Sequence, residues 1–248
     1  MDAGNVGAAR CVALTQEHRG HGVSTAAYYL ARVLVSEGLR VLLIDLTGRR
    51  ARLQGLLARG PAKNLGIWTP PLPRPADMPA LLDQARSQTR GRVDVLLVDA
   101  DEALLERAGG LAAGFEYAVA VVEPTDAGQV AAERIATRLG DELPPYGRVG
   151  VVFSRVDAST VDALPEQTQH RKLPVLGHYP ADYLLAAGDE YSLKGGEQSW
   201  PHDTYLYALL RLGRTLMRLV PLHRTSARMP SHPPAGHDGA GANTHPGA

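Results

Sequence analysis

Short apolar runs alternate along this chain with longer stretches of helical periodicity. "CVALT" (11–15), "RVLLIDL" (40–46), "VDVLLVD" (93–99), "YAVAVVE" (117–123) and "RVGVVFS" (148–154) each predict a buried strand. Their near-continuous apolar character suits a parallel sheet covered on both faces. Val23 to Glu37 has the spacing of a helix, and Gly38 follows where a left-handed residue is wanted. Ala80–Thr89 and Asp126–Leu139 predict further helices, "LPVLGHYP" (173–180) a short edge strand, and Asp203–Val220 a closing helix. The connector "TPPLPRPADMP" (69–79) is too rich in proline for regular structure. From Pro230 onward the chain is rich in Pro, Gly, His and Ala with almost nothing to bury, and it predicts disorder.

Strand–helix alternation of this kind predicts a single doubly wound α/β domain, with a mostly parallel sheet and helices on both faces. The expected organisation is a flexible segment 1–9, an α/β domain 10–224 and a disordered tail 225–248. In such sheets ligands sit at the carboxyl ends of the strands. That rim holds the loop 16–23, Asp45 and Asp99.

Composition adds mainly exclusions. The 248 residues are 44% apolar and 21% charged, with 26 Lys plus Arg against 26 Asp plus Glu. This balance gives no bulk pull toward nucleic acid or membrane. One cysteine, Cys11, rules out an internal disulfide and predicts a buried thiol. "MDAGNVGAAR" lacks the features of a signal peptide, and no apolar run is long enough to span a bilayer. The expectation is a soluble, cytoplasmic protein, peripheral at a membrane only if a partner tethers it.

Candidate chemistry lies in "EHRGHGVST" (17–25), before the first helix. A phosphate loop needs glycines that let the backbone approach, a lysine for the β and γ charges, and a Ser or Thr on magnesium. Gly20, Gly22, Ser24 and Thr25 fit that scheme. Val23 stands at the lysine position, and Glu17 stands where the first glycine is expected. Charge-assisted phosphate contacts contribute roughly 1.5–3 kcal/mol each. Losing one and adding a repulsion weakens triphosphate binding by about two to three decades. Catalysis suffers more, because phosphoryl transfer depends on positioning and charge stabilisation. The helix N-terminus still favours an anion, and His18, Arg19 and His21 are the nearby cations.

"GHGVSTAAYYLA" followed by "GLRVLLIDLTGR" resembles the ParA/MinD superfamily of P-loop ATPases, which includes the bacterial tyrosine kinases of capsule and exopolysaccharide export. "VDVLLVDAD", "YAVAVVEPTDAGQVAAERIATRL", "GVVFSRVD" and "LPVLGHYPADYLLAAG" resemble later motifs of that superfamily, in the same order. The resemblance covers roughly residues 10–220. It implies ATP or ADP with Mg2+, bound weakly or not at all. Arg19, Gly20, His21, Gly22, Val23, Ser24, Thr25, Asp45 and Asp99 would be the binding residues, and Ser24, Asp45 and Asp99 the metal-linked ones. No catalytic residue is assigned. Departures from the family pattern are Val23, Glu17, His18 at the signature lysine, Thr47 at the second acidic position after Asp45, Ala100-Asp101-Glu102 in place of Thr-Pro-Pro, and Ser154 where an asparagine commonly reads adenine.

Three functions follow from the resemblance. One is a pseudo-ATPase that regulates or helps assemble a membrane-associated machine, with exopolysaccharide or cellulose secretion as its setting. The segment "LTGRRARLQGLLA" resembles that branch slightly more than others. Another is an active ATPase or kinase in which Arg19 or a partner's residue replaces the lysine. A third is a pilus-assembly or positioning protein. The implied partner is a protein of a secretion or assembly system, with a homodimer as the implied assembly and nucleic acid disfavoured. The closing helix carries a basic amphipathic stripe, which fits either an anionic membrane surface or a cover packed on the sheet, and the sheet's need for a cover favours packing.

Overall fold

The computed structural model describes residues 9–16, 22–47, 63–71, 74–108, 110–144, 147–156, 173–180 and 205–219. The strands are β1 Arg10–Thr15, β2 Val41–Asp45, β3 Leu65–Trp68, β4 Val95–Asp99, β5 Tyr117–Val122, β6 Arg148–Val156 and β7 Val175–Pro180. They form a seven-stranded sheet in the order β3-β2-β4-β1-β5-β6-β7. Every pairing in it is parallel. The five apolar runs are all strands, and "LPVLGHYP" is an edge strand.

Strand side chains alternate between two apolar clusters. Val12 and Leu14 of β1, Val41 and Leu43 of β2, and Val95 and Leu97 of β4 face the helices α1 (Val23–Ser36) and the chain's last described helix, Tyr205–Leu219. Cys11 and Ala13, Ile44, and Leu96 and Val98 face the opposite way. There they meet α2 (Met78–Thr89), α3 (Glu102–Arg107) and α4 (Asp126–Glu142). The closing helix is therefore α5. The two-residue period of a strand produces the two layers directly, and helices on both faces make the sheet doubly wound.

Gly38 follows α1 at φ 86°, a conformation that disfavours a side chain. Helix α5 buries Leu206, Leu209, Leu210 and Leu216 against α1 and β7, so its apolar stripe belongs to the core. Arg214 closes the crossing with an ion pair to Glu37 at 3.1 Å. At Gly213 an added Cβ would lie 3.3 Å from Leu34 Cδ2, so a small residue sets how closely the two helices approach.

Three features differ from the sequence reading. β3 is a four-residue edge strand, and its only partly buried side chains give a weak apolar signal. α2 begins at Met78, inside the proline-rich connector, and Pro75–Asp77 form a 3-10 turn. Pro79 sits in the first helical turn, where its missing N–H costs no hydrogen bond. α3 is a further helix, unread in the sequence because it has only six residues. The segment 157–172 and the tail 225–248 lie outside the described residues.

Candidate functional site

Gly22 is the hinge between β1 and α1. It takes a left-handed conformation at φ 77°, and its carbonyl accepts the first helical hydrogen bond from Ala26 N–H at 2.8 Å. No side chain caps this helix and its first turn has no acidic residue. By contrast, Asp101 Oδ1 accepts from Leu104 N–H at 2.8 Å at the start of α3, and Thr125 Oγ1 from Gly128 N–H at 3.1 Å at the start of α4. The free N–H groups and the dipole of α1 are thus left for an anion. Arg19, Gly20 and His21 lie outside the described residues, as do Glu17 and His18.

Val23, the first residue of α1, is 1% exposed and belongs to the apolar cluster beneath the helix. Ser24 and Thr25 are buried on the same turn. Asp45 and Asp99 are in-register partners on adjacent parallel strands. Continuing the alternation of Val41, Leu43, Val95 and Leu97 puts both carboxylates on the α1 side of the sheet. Neighbouring strands lie about 5 Å apart, so two carboxylates share one small region, with Asp45 2% and Asp99 1% exposed.

Asp45 Oδ1 accepts from the Thr47 backbone N–H at 2.8 Å and from its hydroxyl at 2.6 Å. Asp45 Oδ2 is buried without a partner, as is Ser24 Oγ. Thr15 Oγ1 and Gln16 Oε1, at the end of β1, are in the same condition. Buried polar atoms are normally hydrogen-bonded, so four such orphans at one rim call for a reason. A hard cation with oxygen ligands supplies one: Ser24 Oγ and the Asp45 carboxylate are suitable donors. Among the described residues no group of three or more His, Cys, Asp or Glu side chains converges, so a metal here would need further oxygens from a bound phosphate or water.

The arrangement therefore fits the magnesium end of a phosphate site. At the phosphate end, the described residues bring no cation to position 23. Thr15 is no candidate in the sequence, Gln16 enters there only as the first residue of the rim loop, and Thr47 only as a departure from the family pattern. The available signal was a polar pair closing an apolar strand, and a hydroxyl two residues after a strand-end aspartate.

Ser154, at the far side of the rim, is fully buried, and its hydroxyl donates to the Val122 carbonyl at 3.3 Å. The Tyr179 phenol lies beside it, and burial pushes that phenol's pKa up while Arg155 and Ser154 pull it down. Arg155, in a left-handed conformation at φ 58°, pairs with Glu123 at 3.0 Å across the ends of β5 and β6.

No protein-family model and no curated protein matches the sequence. Solved structures do match. A chain of the MinC:MinD cell division protein complex from Aquifex aeolicus is 20% identical, with a TM-score of 0.63 over 85% of this chain and 96% of that one. The septum site-determining protein MinD from Pyrococcus horikoshii, complexed with Mg-ADP, is 16% identical, with a TM-score of 0.61 over 86% and 98%. A plasmid partition protein from Borrelia burgdorferi bound to AMPPNP is 14% identical, with a TM-score of 0.59 over 85% and 98%. The chain has the α/β fold of the MinD and ParA P-loop ATPases. At these identities the likeness is one of fold.

Proposed function

We propose that this protein is a P-loop-fold protein without ATP turnover, acting as a regulatory or assembly partner of a membrane-associated machine. Exopolysaccharide or cellulose secretion is the setting its sequence resembles most. The observation that carries the reading is Val23. It occupies the first turn of α1, directly after the left-handed Gly22, and is packed into the apolar core. A valine there offers no charge to the β and γ phosphates, where transition-state stabilisation is most needed. Ser154 supports the same reading, because its hydroxyl is engaged with the β5 main chain.

Weak binding of ATP or ADP with Mg2+ is retained in this reading. The orphaned Ser24 and Asp45 oxygens favour it, since a cation would satisfy them. The solved relatives, one with Mg-ADP and one from a MinC:MinD complex, support a nucleotide ligand and a protein partner by analogy of fold. Among the described residues no helix is long and apolar enough to cross a membrane, and the apolar face of α5 is covered. Contact with a membrane then falls to the partner.

ATP turnover by the purified chain is expected to equal that of Asp45→Asn, and a clear Asp45-dependent rate overturns the proposal. Val23→Lys should raise affinity for magnesium–ATP at least about tenfold, or roughly 1.4 kcal/mol, as read by calorimetric titration. Tight binding by the unaltered chain, with no gain in the variant, would mean that another cation has replaced the lysine.

A further inference from the structure

Immediately after Asp99 the chain is fastened to the end of β1. Ala100 N–H donates to the Leu14 carbonyl at 3.1 Å, and Glu102 N–H donates to the Gln16 carbonyl at 3.1 Å. Gln16 is the last described residue before the loop that leads to Gly22. The Glu102 side chain runs the other way, toward α4. Arg134 donates to it through Nε, 3.2 Å from Oε1, and through a terminal nitrogen, 3.1 Å from Oε2. Arg138 stands 3.9 Å from Glu102 and 3.5 Å from Glu106. One turn of α4 therefore grips both ends of α3.

A six-residue helix has little stability of its own. Its position depends on the Asp101 cap, the buried Leu104 and Leu105, and this grip. The Glu102 side chain is only 11% exposed, whereas the Arg134 side chain is 54% exposed. The carboxylate is thus held inside by an arginine reachable from outside. Removing that arginine leaves a buried charge poorly compensated, which is far more costly than losing a surface pair.

We propose that Glu102 is a positioning residue, a latch through which α4 holds the segment after Asp99 and the end of β1 in place. When the Arg134–Glu102 pair opens, α3 loosens, and the change is felt at Gln16 and Asp99. This holds whether or not the site turns over ATP, so turnover would sink the proposal of the preceding section and leave this one standing.

The test is residue-resolved amide hydrogen exchange by NMR on the full chain. Glu102→Gln and Arg134→Ala are each expected to speed exchange at positions 100, 102 and 104 at least about tenfold, while Val98 and Val119 keep their protection. Arg134→Lys, which keeps the charge but not the two-pronged contact, should recover most of the lost protection. Unchanged exchange at these three positions in both variants overturns the latch. So does an acceleration shared equally by Val98 and Val119, because that would mean a general loss of stability. Arg134→Lys behaving like Arg134→Ala would overturn it as well, since charge would then not be what holds the segment.

Discussion

The two ends of the sheet treat buried polar groups in opposite ways. At the amino end nearly every such group has a partner. Glu116 accepts from the Cys11 backbone N–H at 2.6 Å, from Arg86 at 3.3 Å, and stands 3.9 Å from Arg10. Arg86 also donates to the Gly114 carbonyl. Arg40 clasps Asp94 with contacts of 2.7 and 3.1 Å and donates to the Gly91 carbonyl at 2.7 Å. The exception is Arg86 Nε, which has no partner. At the carboxyl end, Thr15, Gln16, Ser24 and Asp45 each bury an oxygen without one. One end of the sheet is assembled for stability. The other carries unsatisfied groups that a ligand or water would complete, the kind of local cost a stable fold can carry.

The sharpest break of this contrast is Glu116→Ala. It strips the acceptor from Cys11 N–H and from a partly buried guanidinium, and should cost about 3 kcal/mol in denaturant unfolding. A loss under about 1 kcal/mol would remove the amino end's claim to stability. Next comes the Cys11 thiol, which burial pushes up to about 12 from an ordinary 9.0. The folded thiol keeps its proton where the unfolded one loses it. Stability is therefore unaffected below about pH 9 and declines toward pH 12, by up to about 1.4 kcal/mol per pH unit. Cys11→Ala should flatten that decline, and an equal slope in both proteins would show that other groups cause it.

At the carboxyl end the effects shrink and change sign. Asp45→Asn keeps an oxygen for Thr47 and removes a buried charge beside Asp99, so thermal unfolding should show a gain of about 1 kcal/mol. A loss of that size would mean that a partner already satisfies Asp45. Ser24→Ala deletes an orphaned hydroxyl and should stay within about 0.5 kcal/mol of the parent protein. Calorimetry with magnesium–ATP should register the same change as weaker binding.

What could be read from sequence was whatever the chain repeats locally. The strands β1, β2, β4, β5 and β6 announce themselves as apolar runs because a parallel sheet buries both of their faces. Asp45 and Asp99 were legible as candidates because each closes such a run, and register then made them neighbours. β3 escaped notice because an edge strand of four residues has little to bury. Glu102 escaped because its role depends on Arg134, 32 residues further on, and no periodicity links the two. In the sequence Ser154 stands only as a departure, where an asparagine of the family commonly reads adenine. Its hydrogen bond to Val122 depends on how β6 lies against β5, which local pattern does not report.

The order in which the chain is made adds a different consequence of the α1–α5 contact. Helix α1 is synthesised well before α5, the helix that covers it and the last one described. During synthesis Leu30, Leu34 and the apolar side of β7 must wait for Tyr205–Leu219 before that face is sealed. A nascent chain in this condition presents sticky surface until α5 emerges, and is a natural client for a holding chaperone. A chain cut just before Tyr205 should consequently fail by precipitating rather than by melting at a lower temperature.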